Sequence, residues 1–395
     1  MKAIVCHPGT QHAGKLSAAL RKEGMLGTFF TGLRLKEGSV LGRRLRISGL
    51  RALDESIADY TTQIRSPEVL AKVAQCLGLG GERLMRLRNG WFQRRIPRNT
   101  IALSDSVIGF DTASWILAKR TRELGRPFVL DRTTAHRATR AAIRKALRAD
   151  APLPDESSSS NGGVQDALES EEFALATRIV VASRFAEQSL LNARIPAEKI
   201  TVIPYGVNSD MYAGDENQQR SSDRLVFLYV GHLTLEKGMG VLLDAWRRLG
   251  AAEAELWLAG GGDPEWIERA RSTAKVRILG KLGPEALREA YRSASVFVFP
   301  TYCDGFGMVL LEAMASGLPI VATPHSAAPE LIQDETAGLV CPAGDAIALC
   351  SALADACSNR QRWNARGRAA REIAKNYTWE NYGLRWAALL REVAR

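Results

Sequence analysis

The chain has 395 residues, 46% of them hydrophobic, and a net charge of +10. This length and composition predict a soluble protein of two domains, each with its own core. No apolar run approaches the roughly 18 residues of a membrane span, and Met1-Lys2 leads directly into a strand rather than a signal peptide. The sequence therefore excludes an integral membrane protein and predicts a cytoplasmic one, with a place at the inner face of the membrane left open.

The first 24 residues predict a strand, a turn and a helix, which is the opening unit of a Rossmann-like domain. The apolar run KAIVC is followed by the turn HPGTQHAG and by a helix that Gly24 ends. The turn contains Gly9 but does not match G-x-G-x-x-G, so dinucleotide binding is not predicted. His7 and His12 lie five residues apart, and a metal site there would need more ligands than the sequence shows.

Most of the excess positive charge lies between residues 33 and 100, where 14 Lys and Arg stand against 6 Asp and Glu. This imbalance favours an anionic partner for the first half of the chain. Two arginine-rich segments contribute to it, residues 41–51 and Arg83–Arg95. The second interleaves leucine, methionine and aromatic residues with arginine, which suits an anionic membrane surface or a lipid-linked acceptor. A solvated helix face above a core stripe explains the same pattern, and nucleic-acid binding is not predicted because no recognisable binding module accompanies the charge.

A regular pattern resumes with the strand SVIGF (106–110), a helix over 111–124 and the strand PFVLD (127–131). His136 follows that strand by five residues, in the region where doubly wound sheets bind ligands. A histidine that merely opens the basic helix behind it is the alternative. Residues 151–163, rich in Pro, Ser and Gly, predict a mobile loop.

Strands and helices alternate regularly from residue 224 onward, which predicts a parallel sheet covered by helices. Within this half, residues 296–322 read as a buried strand, a glycine-containing turn, a helix over 307–316 and a further strand. Gly317 is predicted to end the helix in the left-handed conformation. The first amides of this helix carry the positive end of its dipole, so an anion such as a diphosphate could bind there.

Two carboxylates accompany this helix, Asp304 just before it and Glu312 in its second turn. A carboxylate in so apolar a helix needs a partner, because an unpaired one costs several kcal/mol. At about 1.5 Å rise per residue, Glu312 lies roughly 7 Å from Gly307, which is about the reach from a diphosphate to the ribose behind it. The alternative is that Asp304 only caps the helix and that Glu312 pairs with a buried Arg.

The run from Asp304 to Gly317 resembles the acidic-x7-Glu signature of retaining glycosyltransferases of the GT-B fold, in particular glycosyltransferase family 4. That family usually has Glu at the first acidic position, where this chain has Asp304. The family's first acid contacts hydroxyls of the donor sugar, so this departure concerns the identity of the sugar rather than nucleotide binding.

Other segments resemble the same family. GHLTLEKGMG resembles its diphosphate-clamping segment, with Lys237-Gly238 matching and His232 in the position of the usual Arg. LGKL (279–282) resembles the loop that meets the nucleotide base, and the turn containing Gly9 resembles a loop that faces the cleft. The resemblance implies catalytic roles for His136, Lys237 and Asp304. It implies donor contacts from Gly9, His232, Lys237, Gly280, Lys281, Leu282, Asp304, Gly305, Phe306, Gly307, Met308, Val309 and Glu312.

The predicted architecture is α/β, with two Rossmann-like doubly wound domains facing a cleft. Residues 1–205 are the acceptor-binding domain, residues 206–375 bind the nucleotide sugar, and residues 376–395 form a helix that crosses back to the first domain. IPYGVN (203–208) resembles the family's interdomain hinge.

The predicted function is transfer of a sugar from a nucleoside diphosphate to a glycan, lipid-linked or other hydroxyl acceptor, with retention implied by the resemblance. No cofactor is predicted. No metal site is predicted either, because the chain has no Asp-x-Asp. Two rival hypotheses are a sugar-nucleotide epimerase of the same fold and a degenerate protein that binds nucleotide sugars without turnover.

Overall fold

The computed structural model describes residues 1–9, 11–33, 54–76, 80–150, 162–212, 224–250 and 253–394. The arginine-rich segment at 41–51 and most of the predicted loop at 151–163 lie outside these ranges. The described residues contain two sheets in which all pairs of strands are parallel. The fold is α/β, as predicted.

The first sheet has seven strands in the order β3-β2-β1-β4-β5-β6-β7. They are β1 (Ala3–His7), β2 (Leu26–Thr31), β3 (Thr61–Gln63), β4 (Ser106–Phe110), β5 (Phe128–Arg132), β6 (Arg178–Val181) and β7 (Ile200–Val202). The second sheet has six strands in the order β10-β9-β8-β11-β12-β13. They are β8 (Leu225–Val230), β9 (Ala254–Ala259), β10 (Val276–Gly280), β11 (Val296–Phe299), β12 (Ile320–Ala322) and β13 (Gly338–Val340).

The strands alternate with helices, apart from two short 3-10 segments at Glu55–Tyr60 and Ala197–Lys199. The helices of the first half are α1 (Ala13–Lys22), α2 (Arg65–Cys76), α3 (Glu82–Arg94), α4 (Arg98–Leu103), α5 (Trp115–Glu123), α6 (Arg137–Asp150), α7 (Gly162–Leu175) and α8 (Arg184–Asn192). Those of the second half are α9 (Ser209–Tyr212), α10 (Met239–Leu249), α11 (Pro264–Arg271), α12 (Pro284–Ser293), α13 (Met308–Ala315), α14 (Ala328–Ile332), α15 (Ala346–Ser358), α16 (Arg360–Ala374) and α17 (Trp379–Val393). None of these helices within the described ranges is long and apolar enough to cross a bilayer.

The strand order of both sheets reverses at the first strand, which is the arrangement of doubly wound folds. The central strands β1, β4, β5 and β8 are buried over their whole length. This burial explains why they read as continuous apolar runs rather than as alternating patterns. In such folds ligands bind beyond the carboxyl ends of the strands, next to the point where the order reverses.

The last helix, α17, crosses back to the first half of the chain as predicted. It packs on α1 so closely that a Cβ at Gly383 would lie 2.9 Å from the Cβ of Ala19. Arg178 at the start of β6 forms an ion pair of 2.6 Å with Glu392 of this helix.

The predicted hinge runs beside the start of α17. The amide of Val207 donates to the carbonyl of Tyr377 at 2.8 Å, and a Cβ at Gly206 would lie 2.3 Å from the amide nitrogen of Trp379. The two segments that connect the halves of the chain therefore pack against each other. The domain boundary near Gly206 stays a prediction.

The helix predicted over 111–124 begins later, at Trp115. Thr112 has a φ of +62°, which no helix accommodates. Both carboxylate oxygens of the buried Glu172 accept main-chain amides of this turn, from Thr112 at 2.9 Å and from Ser114 at 2.7 Å. Burial raises the pKa of Glu172 to about 8, against the opposing effect of these two amides.

Candidate active site

The loops that follow the strands of the two sheets meet each other. A Cβ at Gly305, in the loop after β11, would lie only 1.9 Å from the carbonyl oxygen of Thr133, which follows β5. Only glycine permits so close an approach between the two main chains. Phe306 also contacts Tyr205 of the interdomain segment, with ring centroids 5.1 Å apart. The predicted cleft is therefore lined by the carboxyl ends of both sheets.

Helix α13 begins directly behind this loop, at Met308, and Gly307 is its N-cap. Gly307 has a φ of +85°, and a Cβ there would lie 2.9 Å from the ring of Phe299. No side chain caps this helix start in the described structure. The first amides, those of Met308 and Val309, and the positive end of the helix dipole thus lie at an uncapped helix start, where anion binding stays a prediction. The helix ends before Gly317, whose φ of +74° confirms the predicted stop.

Lys237 lies in the turn that leads from β8 to α10 and contacts the loop before α13. In this turn Gly238 has a φ of +82° and packs against the main chain of Pro300. A Cβ added at Gly238 would lie 2.0 Å from the carbonyl oxygen of Pro300. Nζ of Lys237 donates to Oδ2 of Asp304 at 2.8 Å and to the carbonyl of Cys303 at 3.0 Å. The two side chains are each about a quarter exposed. The structure thus joins two residues that the sequence assigned to different parts of the donor.

Asp304 is held at both carboxylate oxygens. While Oδ2 pairs with Lys237, Oδ1 accepts the amide of Phe306 at 3.1 Å. The amide of Asp304 itself donates to the carbonyl of His325 at 2.9 Å. Asp304 therefore organises the loop rather than capping α13. Burial raises the pKa of the adjacent Cys303 thiol to about 11, so this cysteine is a neutral packing residue.

Glu312 projects from the second turn of α13 and is half-buried. Its Oε2 accepts the hydroxyl of Tyr291 from α12 at 3.0 Å. The hydroxyl of Tyr212, from the short helix α9, also interacts with this carboxylate. Burial and the Glu312 carboxylate together raise the pKa of both phenols, so they remain hydrogen-bond donors.

The other residues predicted to contact the donor lie in the loops after β8 and β10. His232 is exposed, and its carbonyl accepts the hydroxyl of Tyr229 at 2.7 Å. Gly280 ends β10 with a φ of +69°. Lys281 is exposed and extends over Gly261, whose Cβ would lie 2.7 Å from the lysine Cε. Leu282 packs its side chain against the core.

His136 and Gly9 lie at the carboxyl end of the first sheet, where the sequence placed them. Nδ1 of His136 accepts the amide of Ala138 at 3.1 Å, and its ring stacks on Phe173. Burial and the neighbouring Arg132 lower the pKa of His136. This geometry agrees with the alternative that His136 opens α6, and its catalytic role stays a prediction. The amide of Gly9 donates to Nδ1 of His7 at 3.0 Å.

Sequence reasoning did not identify the buried pair of His12 and Asp131, which lies beside the hinge. Nε2 of His12 lies 2.7 Å from Oδ2 of Asp131, which is 2% exposed. The ring of Tyr205 lies 4.4 Å from that of His12, and Tyr382 of α17 also interacts with the carboxylate. Burial raises the pKa of Asp131, whereas His12 opposes this shift. The first half of the chain, the hinge and the last helix thus meet at this pair.

Arg132, the last residue of β5, organises the loop that carries His136. Its guanidinium is 1% exposed and pairs with Glu169 and, at 3.4 Å, with Asp111. It also donates to the carbonyls of Thr134 and Ala135, both at 2.9 Å.

Within the described ranges, no group of three or more His, Cys, Asp or Glu side chains is arranged to hold a metal ion.

Comparison with known proteins identifies the region that carries Lys237, Asp304 and Glu312. Residues 224–359 match the family model described as Glycosyl transferases group 1. We call residues 224–359 the group 1 domain after this match. The structure as a whole superposes on that of Anabaena HepE, solved in complex with UDP, with a TM-score of 0.69, 14% identity and 99% of each chain covered. The fold is therefore GT-B.

The curated relatives that match in sequence include two glycosyltransferases. The amylovoran biosynthesis glycosyltransferase AmsK of Erwinia amylovora is 31% identical over 197 residues, 46% of this chain and 47% of that protein. The phosphatidyl-myo-inositol mannosyltransferase of Mycobacterium leprae is 35% identical over 191 residues, 45% of this chain and 49% of that protein. The chain spans about half the length of the curated relatives it matches.

Proposed function

We propose that this protein is a glycosyltransferase that moves a sugar from a nucleoside-diphosphate sugar to a hydroxyl acceptor. One observation carries the proposal: Lys237, the uncapped start of α13 and Glu312 lie in the group 1 domain, around loops that meet the first sheet. The lysine cation and the helix start suit the negatively charged diphosphate of such a donor, and the Glu312 carboxylate suits the hydroxyls of its ribose. The UDP complex of HepE makes UDP the first nucleotide to test.

Lys237 and the start of α13 assist the reaction by electrostatic stabilisation of the leaving diphosphate. As the bond between the sugar and the diphosphate breaks, negative charge grows on the leaving group. Lys237 and the amides at the start of α13 stabilise that charge in the cleft between the domains. Before the donor binds, Asp304 neutralises Lys237 at 2.8 Å. Binding of the diphosphate gives the lysine a second anionic partner. Each oxygen of Asp304 accepts one hydrogen bond here and keeps a further lone pair that can accept a sugar hydroxyl.

The finer features rest on the resemblance of the residues to family 4. Retention of configuration, the donor role of the loop at 279–282 and the catalytic role of His136 belong to this proposal. The acceptor is bound by the first domain, from the side of Thr133 and Gly9. The departing diphosphate helps to take the proton of the acceptor hydroxyl.

The basic surface of the first domain supports a lipid-linked acceptor at an anionic membrane. Arg83 and Arg94 of α3 and the C-cap residue Arg95 are exposed. Leu87 between them has 65% of its surface accessible. The neighbouring helix α2 exposes a further apolar set, Val69, Leu70 and Val73, which sequence reasoning did not single out. Exposed apolar side chains beside arginines suit the boundary between headgroups and acyl chains. A membrane-binding surface therefore explains the interleaved apolar residues and arginines of Arg83–Arg95 better than a purely solvated helix face does.

A thermal-shift screen against UDP-, GDP- and dTDP-sugars tests the proposal, because a ligand that binds the native state raises its melting temperature. The stabilising donor is then incubated with radiolabelled sugar and candidate acceptors. Transfer of label to an acceptor is the expected result. Conversion of the donor to an isomer without any acceptor would identify an epimerase, and binding without turnover would identify a degenerate binding protein.

A further inference from the structure

Ser183 is a buried first-domain residue that the sequence did not single out. It follows β6 and is the N-cap of α8, where its Oγ accepts the amide of Ala186 at 3.1 Å. The same hydroxyl donates to the carbonyl of Gly305 in the group 1 domain at 2.6 Å. A side chain with no exposed surface thus uses both its donor and its acceptor capacity, one on each side of the cleft.

The Gly305 carbonyl belongs to a peptide whose two polar groups are both engaged. Its oxygen accepts from Ser183, and the amide on the other side of the same peptide, that of Phe306, donates to Oδ1 of Asp304 at 3.1 Å. Oδ2 of Asp304 accepts Nζ of Lys237 at 2.8 Å. A continuous hydrogen-bonded chain therefore runs from the start of α8, through the donor loop, to the lysine proposed to bind the diphosphate.

Two neighbouring contacts show that this series of hydrogen bonds lies within a docking face between the domains. The amide of Arg184 donates to Oε1 of Glu330 at 2.9 Å, and the ring of Phe185 stacks on His325 with centroids 5.2 Å apart. Three successive residues of the first domain, 183–185, thus each contact the second domain. The peptide plane of Gly305 and Phe306 is fixed only while this face is closed, because one of its two hydrogen-bond partners comes from the other domain.

We propose that Ser183 is a positioning residue that couples closure of the cleft to the orientation of Asp304 and Lys237. This inference rests on the proposed function. When the domains dock, Ser183 fixes the Gly305 peptide, which orients Asp304 and thereby sets the position of the lysine ammonium. When they separate, the peptide loses that partner, and the cation moves away from the geometry that the leaving diphosphate requires. Free nucleotide, which binds the group 1 domain alone, depends little on this coupling.

The test compares Ser183→Ala with Ser183→Thr, which keeps the hydroxyl, and with Ser170→Ala, whose exposed hydroxyl bonds only within α7. We expect Ser183→Ala to lower kcat about tenfold, as for the loss of one buried hydrogen bond, with the Kd of free UDP within about threefold of the parent protein. Hydrogen exchange of the Phe306 amide should accelerate in Ser183→Ala and not in Ser170→Ala. Ser183→Thr should restore both properties at least in part. Unchanged kcat and unchanged exchange in Ser183→Ala would overturn the inference.

Gly305→Ala tests the coupling from the other side and leaves Ser183 intact. Its Cβ would lie 1.9 Å from the carbonyl of Thr133, so the docking face cannot close as it does here. The control Gly163→Ala adds a Cβ in open space on α7. We expect Gly305→Ala to lose more turnover than Ser183→Ala, and parent-like turnover in a folded Gly305→Ala protein would contradict the coupling. If the parent protein binds no nucleotide, the proposed function fails, whereas the exchange of the Phe306 amide still decides whether Ser183 orders the loop.

Discussion

The hydroxyl of Tyr291 donates to Oε2 of Glu312 at 3.0 Å, so the carboxylate in the apolar helix α13 has a partner before any ligand binds. Tyr212 approaches the same carboxylate from the segment behind the hinge. Two phenols orient Glu312, which prepares its oxygens to accept further hydrogen bonds from a diol.

The first prediction is that Glu312→Ala weakens binding of the nucleoside diphosphate. A ribose that loses charge-assisted hydrogen bonds of roughly 1.5–3 kcal/mol should bind about 10- to 150-fold more weakly. Tyr291→Phe should cause a smaller loss in the same direction, because it removes only the orienting hydroxyl. Calorimetric titration measures both, with Glu289→Ala on the exposed face of α12 as the control. Parent-like affinity in Glu312→Ala would refute the ribose assignment.

The second prediction is that Lys237→Ala reduces turnover more than donor affinity. The charge on the diphosphate grows towards the transition state, so the lysine contributes most there. We expect kcat to fall by roughly 10²–10³, with a smaller change in the Kd of the donor. Lys375→Ala, which removes an exposed lysine that pairs with Glu372, is the control. Equal losses in kcat and affinity would make Lys237 a binding residue alone.

The third prediction is that the exposed arginines of α3 bind anionic membranes. Replacing Arg83, Arg94 and Arg95 by Gln should greatly reduce sedimentation with anionic vesicles at low salt, at about 1 kcal/mol per charge. Arg88 is left in place because its guanidinium is already bonded to the side chain of Asn89.

Two companion variants separate charge from apolar contact. Leu87→Ser removes only an apolar side chain, and it should weaken sedimentation at high salt as well. The control replaces three exposed arginines of the group 1 domain that form ion pairs with neighbours on their own helices, Arg248, Arg271 and Arg292. If this control reduces sedimentation as much as the α3 triple variant, the interaction reflects net charge and not the proposed surface.

The fourth prediction concerns pH and follows from Glu172, whose pKa burial raises to about 8 from an ordinary value of 4.5. Between these values the folded protein keeps the proton that the unfolded chain releases, so the stability that this group contributes is lost as pH rises towards 8. The slope approaches about 1.4 kcal/mol per pH unit. Denaturant unfolding between pH 5 and pH 8.5 should show this decline, and Glu172→Gln should flatten it. An identical pH dependence in both proteins would show that Glu172 is ionised in the folded state.

The fifth prediction is that transfer needs no divalent metal. The chain has no Asp-x-Asp, and Lys237 with the start of α13 supplies positive charge where a metal would otherwise act. Activity should persist with chelator-treated enzyme and donor in excess EDTA. His232 is the residue that makes this measurement informative, because family 4, which this segment resembles, usually has a charged Arg at this position. A loss of more than about tenfold, restored by magnesium or manganese, would show that the phosphate clamp includes a metal.

The sequence by itself predicted the strands and helices of the second half closely. The helices at 239–249 and 284–293 and the strand at 296–299 have the bounds that the pattern indicated. These elements are read well because their strands are continuous apolar runs and their helices begin or end at glycine or proline, so the local signal and the tertiary environment agree. In the first half the strand β2 and the edge strand β3 were not predicted, since β2 contains a glycine and β3 is only three residues long.

Contacts between distant parts of the chain were decided by the tertiary structure alone. Asp131 was recognised as the end of a strand, but nothing local could pair it with His12, 119 residues away. The sequence did not single out Ser183, because its bond to Gly305 depends on how the two sheets face each other. The periodicity of a sequence reports which side of an element is buried, whereas partners across a cleft depend on strand order and loop direction, which arise only when both sheets are assembled.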